Sequence, residues 1–278
     1  MTWRVFQHEA MATFCELTLA GVDAGYARQA AAAAFRELDR LESELSLFIE
    51  SSDVARANRL AGGESLVIGE DAMQCLALAA GVAAATGRAF DPAYASEPDP
   101  AQPAGAPPFT LDPDTHRLTS RSQRLQLDLG AVGKGYALDR MAEVLADWGV
   151  TSACLNLGGS SALALDAPPD EKGWRVGLGE GEHHREFPLV RAALSGSGVV
   201  VKGAHLQDPR TGRPATRTTR VWALAPEAAT ADALSTAFFV MTDDEVVAFC
   251  SAHPDLGAAV TAPDGRVLLQ GALDRLTG

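Results

Sequence analysis

The sequence predicts a mixed α/β fold of the α+β kind. Helical and strand patterns are interleaved along the chain, several neighbouring strand patterns read as hairpins rather than crossovers, and no repeat or heptad run competes with that reading. The first strands are expected at Trp3–His8 and Thr13–Ala20, where apolar and polar residues alternate. Asp23 is placed to cap a long helix reaching about Leu45, with Ala30, Ala34, Leu38, Leu41 and Leu45 on one stripe. The polar, turn-rich stretch Ser46–Arg59 ends in a short helical piece. A second helix is expected over Glu70–Thr86, with Met73, Leu76, Ala77 and Ala80 on one face.

The segment Ala95–Pro108 is dense in proline, alanine and small polar residues and reads as an exposed loop. Phe109–Thr119 resembles a small hairpin leading into a strand at Leu125–Leu127. A helix then carries Ala137, Met141, Val144, Leu145 and Trp148 on one face and stops at Gly149. Further strands are expected at Ser152–Leu157, Trp174–Gly177, Phe187–Leu194, Val199–Val201 and Val221–Ala225. Helices near Thr230–Met241 and Asp243–Ala252 follow, then strands at Ala258–Thr261 and Val267–Leu269.

Composition narrows the function classes. The 278 residues are 47% hydrophobic and 21% charged, ordinary for a globular chain of one large or two modest domains. A net charge of −13 argues against a nucleic-acid partner, which requires clustered cations. The four cysteines lie far apart and form no CxxC pair, so they read as reduced, buried thiols rather than a zinc site or disulfide framework. No run of 18 apolar residues suggests a transmembrane helix. The N-terminal segment shows no signal-type apolar region and no lipoprotein-type cysteine, so a cytoplasmic location is expected; an export signal outside the chain would make it periplasmic.

The run Asp128-Leu-Gly-Ala-Val-Gly-Lys-Gly-Tyr136 is the densest chemical signal. A strand is expected to pass through glycines into a helix here, placing backbone N–H groups, the positive end of the helix dipole and Lys134 where a phosphate would bind. Its spacing is neither that of a P-loop nor GxGxxG, and a tight connection with a solvated lysine is the alternative reading. Arg88-Ala-Phe-Asp-Pro92 is a turn presenting Asp91. Cys154-Leu-Asn-Leu-Gly-Gly-Ser160 reads as a strand ending where a ligand or another backbone can approach. His205, in a loop running to Pro214, has the chemistry of a general base, whereas the remaining histidines lie in unremarkable contexts. Arg210 and Arg213 suit phosphates or carboxylates. Asp232 and Thr236, four residues apart on a helix, offer a carboxylate and a hydroxyl from one face, a pair that suits a hard cation such as Mg²⁺.

Taken in order, Met11-Ala-Thr13, Leu45–Asn58, Phe90-Asp-Pro92, Asp128–Asp139, Asn156-Leu-Gly-Gly159, His205–Gly212 and Ala231–Thr236 resemble the ApbE family, the FAD:protein FMN transferases. The resemblance spans about Met11 to Val240. It implies a single domain over 1–278, made of two lobes with mostly antiparallel strands and packed helices, and a Mg²⁺-dependent enzyme that cleaves FAD. The FMN moiety would pass to a Thr or Ser hydroxyl of an acceptor flavoprotein, releasing AMP. By position, the resemblance assigns Met11, Phe48, Ala89, Phe90, Asp91, Asp128, Lys134 and Leu206 to the FAD site. It assigns the Ala131 carbonyl, Asp232, Thr236 and Ser235 to the metal, and His205 to the base. The chain departs from the family at Phe48, where a tyrosine is usual, and in short links before Asp128 and before His205. An FAD pyrophosphatase yielding FMN and AMP, or a non-catalytic FAD-binding protein, would use the same residues differently.

Overall fold

The computed structural model describes residues 3–103, 105–179, 184–198, 207–262 and 264–277. It opens with a hairpin of β1 (Trp3–Ala10) and β2 (Thr13–Ala20). Met11 and Ala12 close it at φ 52° and 56°, the left-handed pair whose twist matches that of the strands. Asp23 accepts the Gly25 and Tyr26 N–H groups and starts α1 (Ala24–Leu45). Ser52 caps α2 (Asp53–Ala57), and β3 (Ser65–Val67) leads to α3 (Glu70–Ala85). Four short strands follow: β4 (Glu97–Pro98), β5 (Phe109–Asp112), β6 (Arg117–Ser120) and β7 (Ser122–Arg124). After α4 (Gly133–Asp147) come β8 (Ala153–Leu157), β9 (Ser161–Ala164), β10 (Trp174–Leu178), β11 (Arg185–Leu189) and β12 (Ala192–Gly198). The small hairpin β13 (Gln207–Asp208) and β14 (Arg213–Pro214) precedes β15 (Arg220–Ala225). The chain ends with α5 (Ala228–Val240), α6 (Asp243–Ala252), β16 (Gly257–Thr261), β17 (Val267–Gly271) and α7 (Ala272–Thr277).

Eight strands make one sheet in the order β1-β2-β8-β9-β12-β15-β16-β17, and every neighbouring pair is antiparallel. Successive residues of a strand face opposite sides, and the two sides carry separate cores. Leu163, Ala193, Val221 and Ala223 join the helical core with α1, α4 and α5. Their neighbours Ala164, Leu194, Trp222 and Leu224 pack instead with Trp174, Leu178, Phe187 and Leu189 of the β10–β11 hairpin. Two smaller sheets, β3-β6-β5 and β4-β7, form from the segment between α2 and α4, and Phe109 and Leu118 of the first join the helical core. Asp71 of α3 joins three helices: Arg40 of α1 donates to it at 2.7 Å, the Tyr136 hydroxyl of α4 at 2.8 Å, and Arg140 lies at 3.2 Å. Burial alone would raise the Asp71 carboxyl, but its arginine and tyrosine partners hold it below the ordinary carboxylate range.

Several expectations are corrected. Phe187–Leu194 is not one strand: Arg191, at φ 46°, turns the chain, so β11 pairs with β10 while β12 enters the large sheet. Leu125–Leu127 joins no sheet, and no strand runs into α4. That segment is held by side-chain and loop bonds described below. Ser161–Ala164 adds a strand and Ala272–Thr277 a helix that the pattern did not suggest. The expected strand Val199–Val201 lies outside the described residues. The described residues of Ala95–Pro108 lie in a surface loop apart from the two-residue β4. Among the described residues no helix is long and apolar enough to cross a membrane.

Candidate active site

The helix starts of α4 and α5 meet on the helical side of the large sheet. Gly135 permits this contact: a Cβ there would lie 2.1 Å from the Ala228 carbonyl oxygen, so any side chain would overlap the backbone of α5. The α4 cap residue, Val132, makes no side-chain cap bond. Asp232 of α5 supplies the missing acceptor, and its Oδ2 takes the Gly135 N–H at 3.1 Å. The Lys134 ammonium lies 3.3 Å from each Asp232 oxygen and 3.3 Å from the Gly130 carbonyl. Asp232 is 3% exposed, and a carboxylate so placed requires compensation of its charge. Two hydroxyls complete its surroundings. Ser195 donates to Oδ1 at 2.9 Å and Ser161 at 3.2 Å. These serines face each other across β9 and β12 and lie 2.9 Å apart.

Thr236 stands one turn after Asp232 on the same helix face, and the Ser197 hydroxyl is 3.2 Å from its Oγ1. Ser235 is fully buried, donates to the Asp232 carbonyl at 2.8 Å and meets Ser197 at 2.8 Å. Its hydroxyl is thus engaged by the helix backbone, whereas Thr236 is half-buried. Ala131, also half-buried, sits in the turn that leads into α4. Among the described residues no group of three or more His, Cys, Asp or Glu side chains forms a metal cluster. One carboxylate with hydroxyl and carbonyl oxygens nevertheless fits a hard cation that takes the rest of its ligands from phosphate and water, the usual habit of Mg²⁺.

Other candidate residues lie on turns and loops, and one of these, Phe90-Asp-Pro92, reaches the approach to α4. The Asp128 N–H donates to the Pro92 carbonyl at 2.8 Å, bringing Phe90-Asp-Pro92 beside the approach to α4. Asp128 itself is exposed and accepts the Gly130 N–H at 2.7 Å. Asp91 accepts the Ala93 N–H at 2.9 Å and pairs with Arg88. Ala89 and Phe90 are buried in the core, and Asp91, expected as an exposed turn carboxylate, is buried too, its oxygens taken by the Ala93 N–H and Arg88. The Met11–Ala12 turn lies by the Gly158–Gly159 turn: Gly158 N–H bonds the Phe14 carbonyl at 2.9 Å and faces Thr13. Phe48, on the loop between α1 and α2, is 86% exposed. His205 and Leu206 lie outside the described residues. Arg210 pairs with Asp208 and Glu245.

Three residues that hold the candidate site's groups in place were not assigned from sequence. Asn58 clamps the Leu127 backbone from both sides, donating to its carbonyl at 2.9 Å and accepting its N–H at 2.6 Å. This holds the extended chain leading to Asp128. Ser161 and Ser195 fix the Asp232 carboxylate. Neither lies in a quoted motif stretch, and their common partner is 71 and 37 residues away.

An antiparallel sheet with this helix junction defines a fold shared with flavin transferases. The structure of the flavin transferase ApbE from Vibrio cholerae superposes with a TM-score of 0.85 at 19% identity, covering 99% of each chain. The ApbE protein of Thermotoga maritima gives 0.83 at 22% identity, again over 99% of each. A family model described as the ApbE family matches residues 11–260. The chain belongs to the ApbE family. Among curated relatives, the FAD:protein FMN transferase of Treponema pallidum is 28% identical over 87% of this chain and 80% of its own length. A Klebsiella pneumoniae protein of the same name is 24% identical over 86% and 79%.

Proposed function

We propose that the protein is an FAD:protein FMN transferase that uses Mg²⁺, modifies a Thr or Ser hydroxyl of an acceptor flavoprotein, and releases AMP. The observation that carries this reading is the buried Asp232 carboxylate set against Lys134 at the start of α4, with Thr236 one turn on. Asp232, Thr236 and the Ala131 carbonyl would hold the metal, with Ser235 behind them. Mg²⁺ bound there would neutralise charge on the pyrophosphate and on the leaving phosphate. Met11, Phe48, Ala89, Phe90, Asp91, Asp128 and Leu206 would line the FAD site. Lys134 adds a positive charge where the helix start already favours phosphate.

In this reaction the acceptor hydroxyl oxygen attacks the FMN-side phosphorus. A new O–P bond forms, the bond from that phosphorus to the bridging oxygen breaks, and AMP departs with the bridging oxygen. His205 would take the hydroxyl proton. Incubation with FAD, Mg²⁺ and a candidate acceptor should give covalent flavin fluorescence on the acceptor band in a denaturing gel, lost on adding EDTA. Release of AMP and free FMN regardless of acceptor would instead establish hydrolysis. Intact FAD with no AMP would establish storage without turnover.

A further inference from the structure

We propose that Asp139 is a positioning residue for the metal site, acting by fixing the register of α4 against α5. The inference rests on the metal reading above. The cap residue of α5, Glu227, makes no side-chain cap bond, just as Val132 makes none for α4. Each helix start is capped by a carboxylate of the other. Asp232 of α5 accepts the Gly135 N–H, and Asp139 of α4 accepts the Ala228 and Ala229 N–H groups, one on each oxygen, both at 2.8 Å.

The donors proposed for the metal are divided between these helices. Ala131 belongs to the entry of α4, and Asp232 and Thr236 belong to α5. Their spacing therefore depends on how one helix is rotated and advanced along the other. A single hydrogen bond would allow α5 to pivot about one point. Two bonds from one carboxylate to consecutive N–H groups remove that freedom, and the backbone contact at Gly135 removes sliding toward α4. Burial pushes the Asp139 carboxyl up to about 6, only partly offset by the two N–H groups, and the charges of Glu227 and Glu143 push it the same way. An ionised group is thus held at neutral pH in surroundings that disfavour its charge.

The test uses the whole protein with Asp139→Ala and Asp139→Asn, the second keeping the side-chain shape and one acceptor oxygen. Mn²⁺ is titrated in the presence of FAD and free Mn²⁺ is read by EPR. FAD affinity without metal is read by flavin fluorescence, and folding by far-UV circular dichroism. Loss of a residue that orients metal ligands typically weakens metal binding about 10-fold or more. Asp139→Ala should reach that, Asp139→Asn should fall between it and wild type, and metal-free FAD affinity should be unchanged. The Mg²⁺ concentration for half-maximal turnover should rise, with the maximal rate recovered at saturating Mg²⁺. Folded variants with wild-type Mn²⁺ affinity, or a lower maximal rate at unchanged Mg²⁺ requirement, would overturn the inference. Asp232→Asn separates the two readings: if it binds Mn²⁺ as wild type does, the metal assignment itself fails.

Discussion

The α4–α5 junction and the turns along the rim of the site handle their polar groups in opposite ways. At the junction Asp232 and Asp139 are bonded to partners far away in sequence, and the backbones touch at Gly135. In those turns the carboxylates bond locally, Asp128 to the N–H two residues on and Asp91 likewise, and Asp128 faces solvent, as does Phe48, proposed for the same rim. The Asp128 turn satisfies one oxygen and leaves the rest of an exposed side chain for a ligand, whereas the second Asp91 oxygen pairs with Arg88. A long-range buried network instead sets the shape of the frame, since a half-satisfied one is costly. Junction substitutions are therefore expected to change stability and metal binding together, and rim substitutions to change FAD binding alone.

Gly135→Ala should break the junction most severely. Alanine is favoured over glycine in a helix by about 1 kcal/mol, but a Cβ 2.1 Å from a carbonyl oxygen forces the helices apart, at about 3 kcal/mol, the upper part of the overpacking range. A urea unfolding midpoint equal to or above wild type would show that the helices do not approach so closely. Asp232→Asn comes next. It should end Mg²⁺-dependent AMP release and lower stability by about 1–3 kcal/mol, because Lys134 and the Gly135 N–H lose a charged acceptor.

A smaller effect is the pH dependence of the Asp139 cap. Between its ordinary value of 3.8 and about 6, Asp139 is protonated more readily in the folded chain than in the unfolded one. The folded state then binds more protons, so this group adds stability as pH falls through that window. Asp71, held low, works in the opposite direction but is present in both proteins and cancels. The stability of wild type relative to Asp139→Asn should accordingly grow between pH 7 and pH 5 in urea titrations; a difference that does not vary with pH contradicts the buried cap. Phe48→Ala should have the least effect on stability, within about 0.5 kcal/mol for an exposed residue, while weakening FAD retention measured by flavin fluorescence. A loss of stability without loss of FAD affinity would remove Phe48 from the rim.

What was legible in the sequence follows the same division. Caps are local, so Asp23 at the start of α1 was readable from neighbouring residues, whereas Asp128, read as a strand end, is instead in a local turn. The Asp232–Thr236 spacing was readable because helix geometry alone places both on one face. Asp139 showed no role, because its partners lie 89 and 90 residues away. The Asn58 clamp spans 69 residues, and without it Leu125–Leu127 reads as a strand although its backbone bonds go to a side chain. The break between β11 and β12 was hidden for a different reason. It turns on Arg191 in a left-handed conformation, where no glycine or asparagine marks the turn.

In the proposed reaction the α4–α5 junction carries out FAD cleavage coupled to transfer. Mass spectrometry of wild type and Asp232→Asn, each incubated with FAD, Mg²⁺ and a candidate acceptor, tests it most directly. Wild type should yield AMP in equal amount to acceptor carrying one FMN, and folded Asp232→Asn should yield neither. AMP and flavinylated acceptor formed by Asp232→Asn at the wild-type rate would contradict the account.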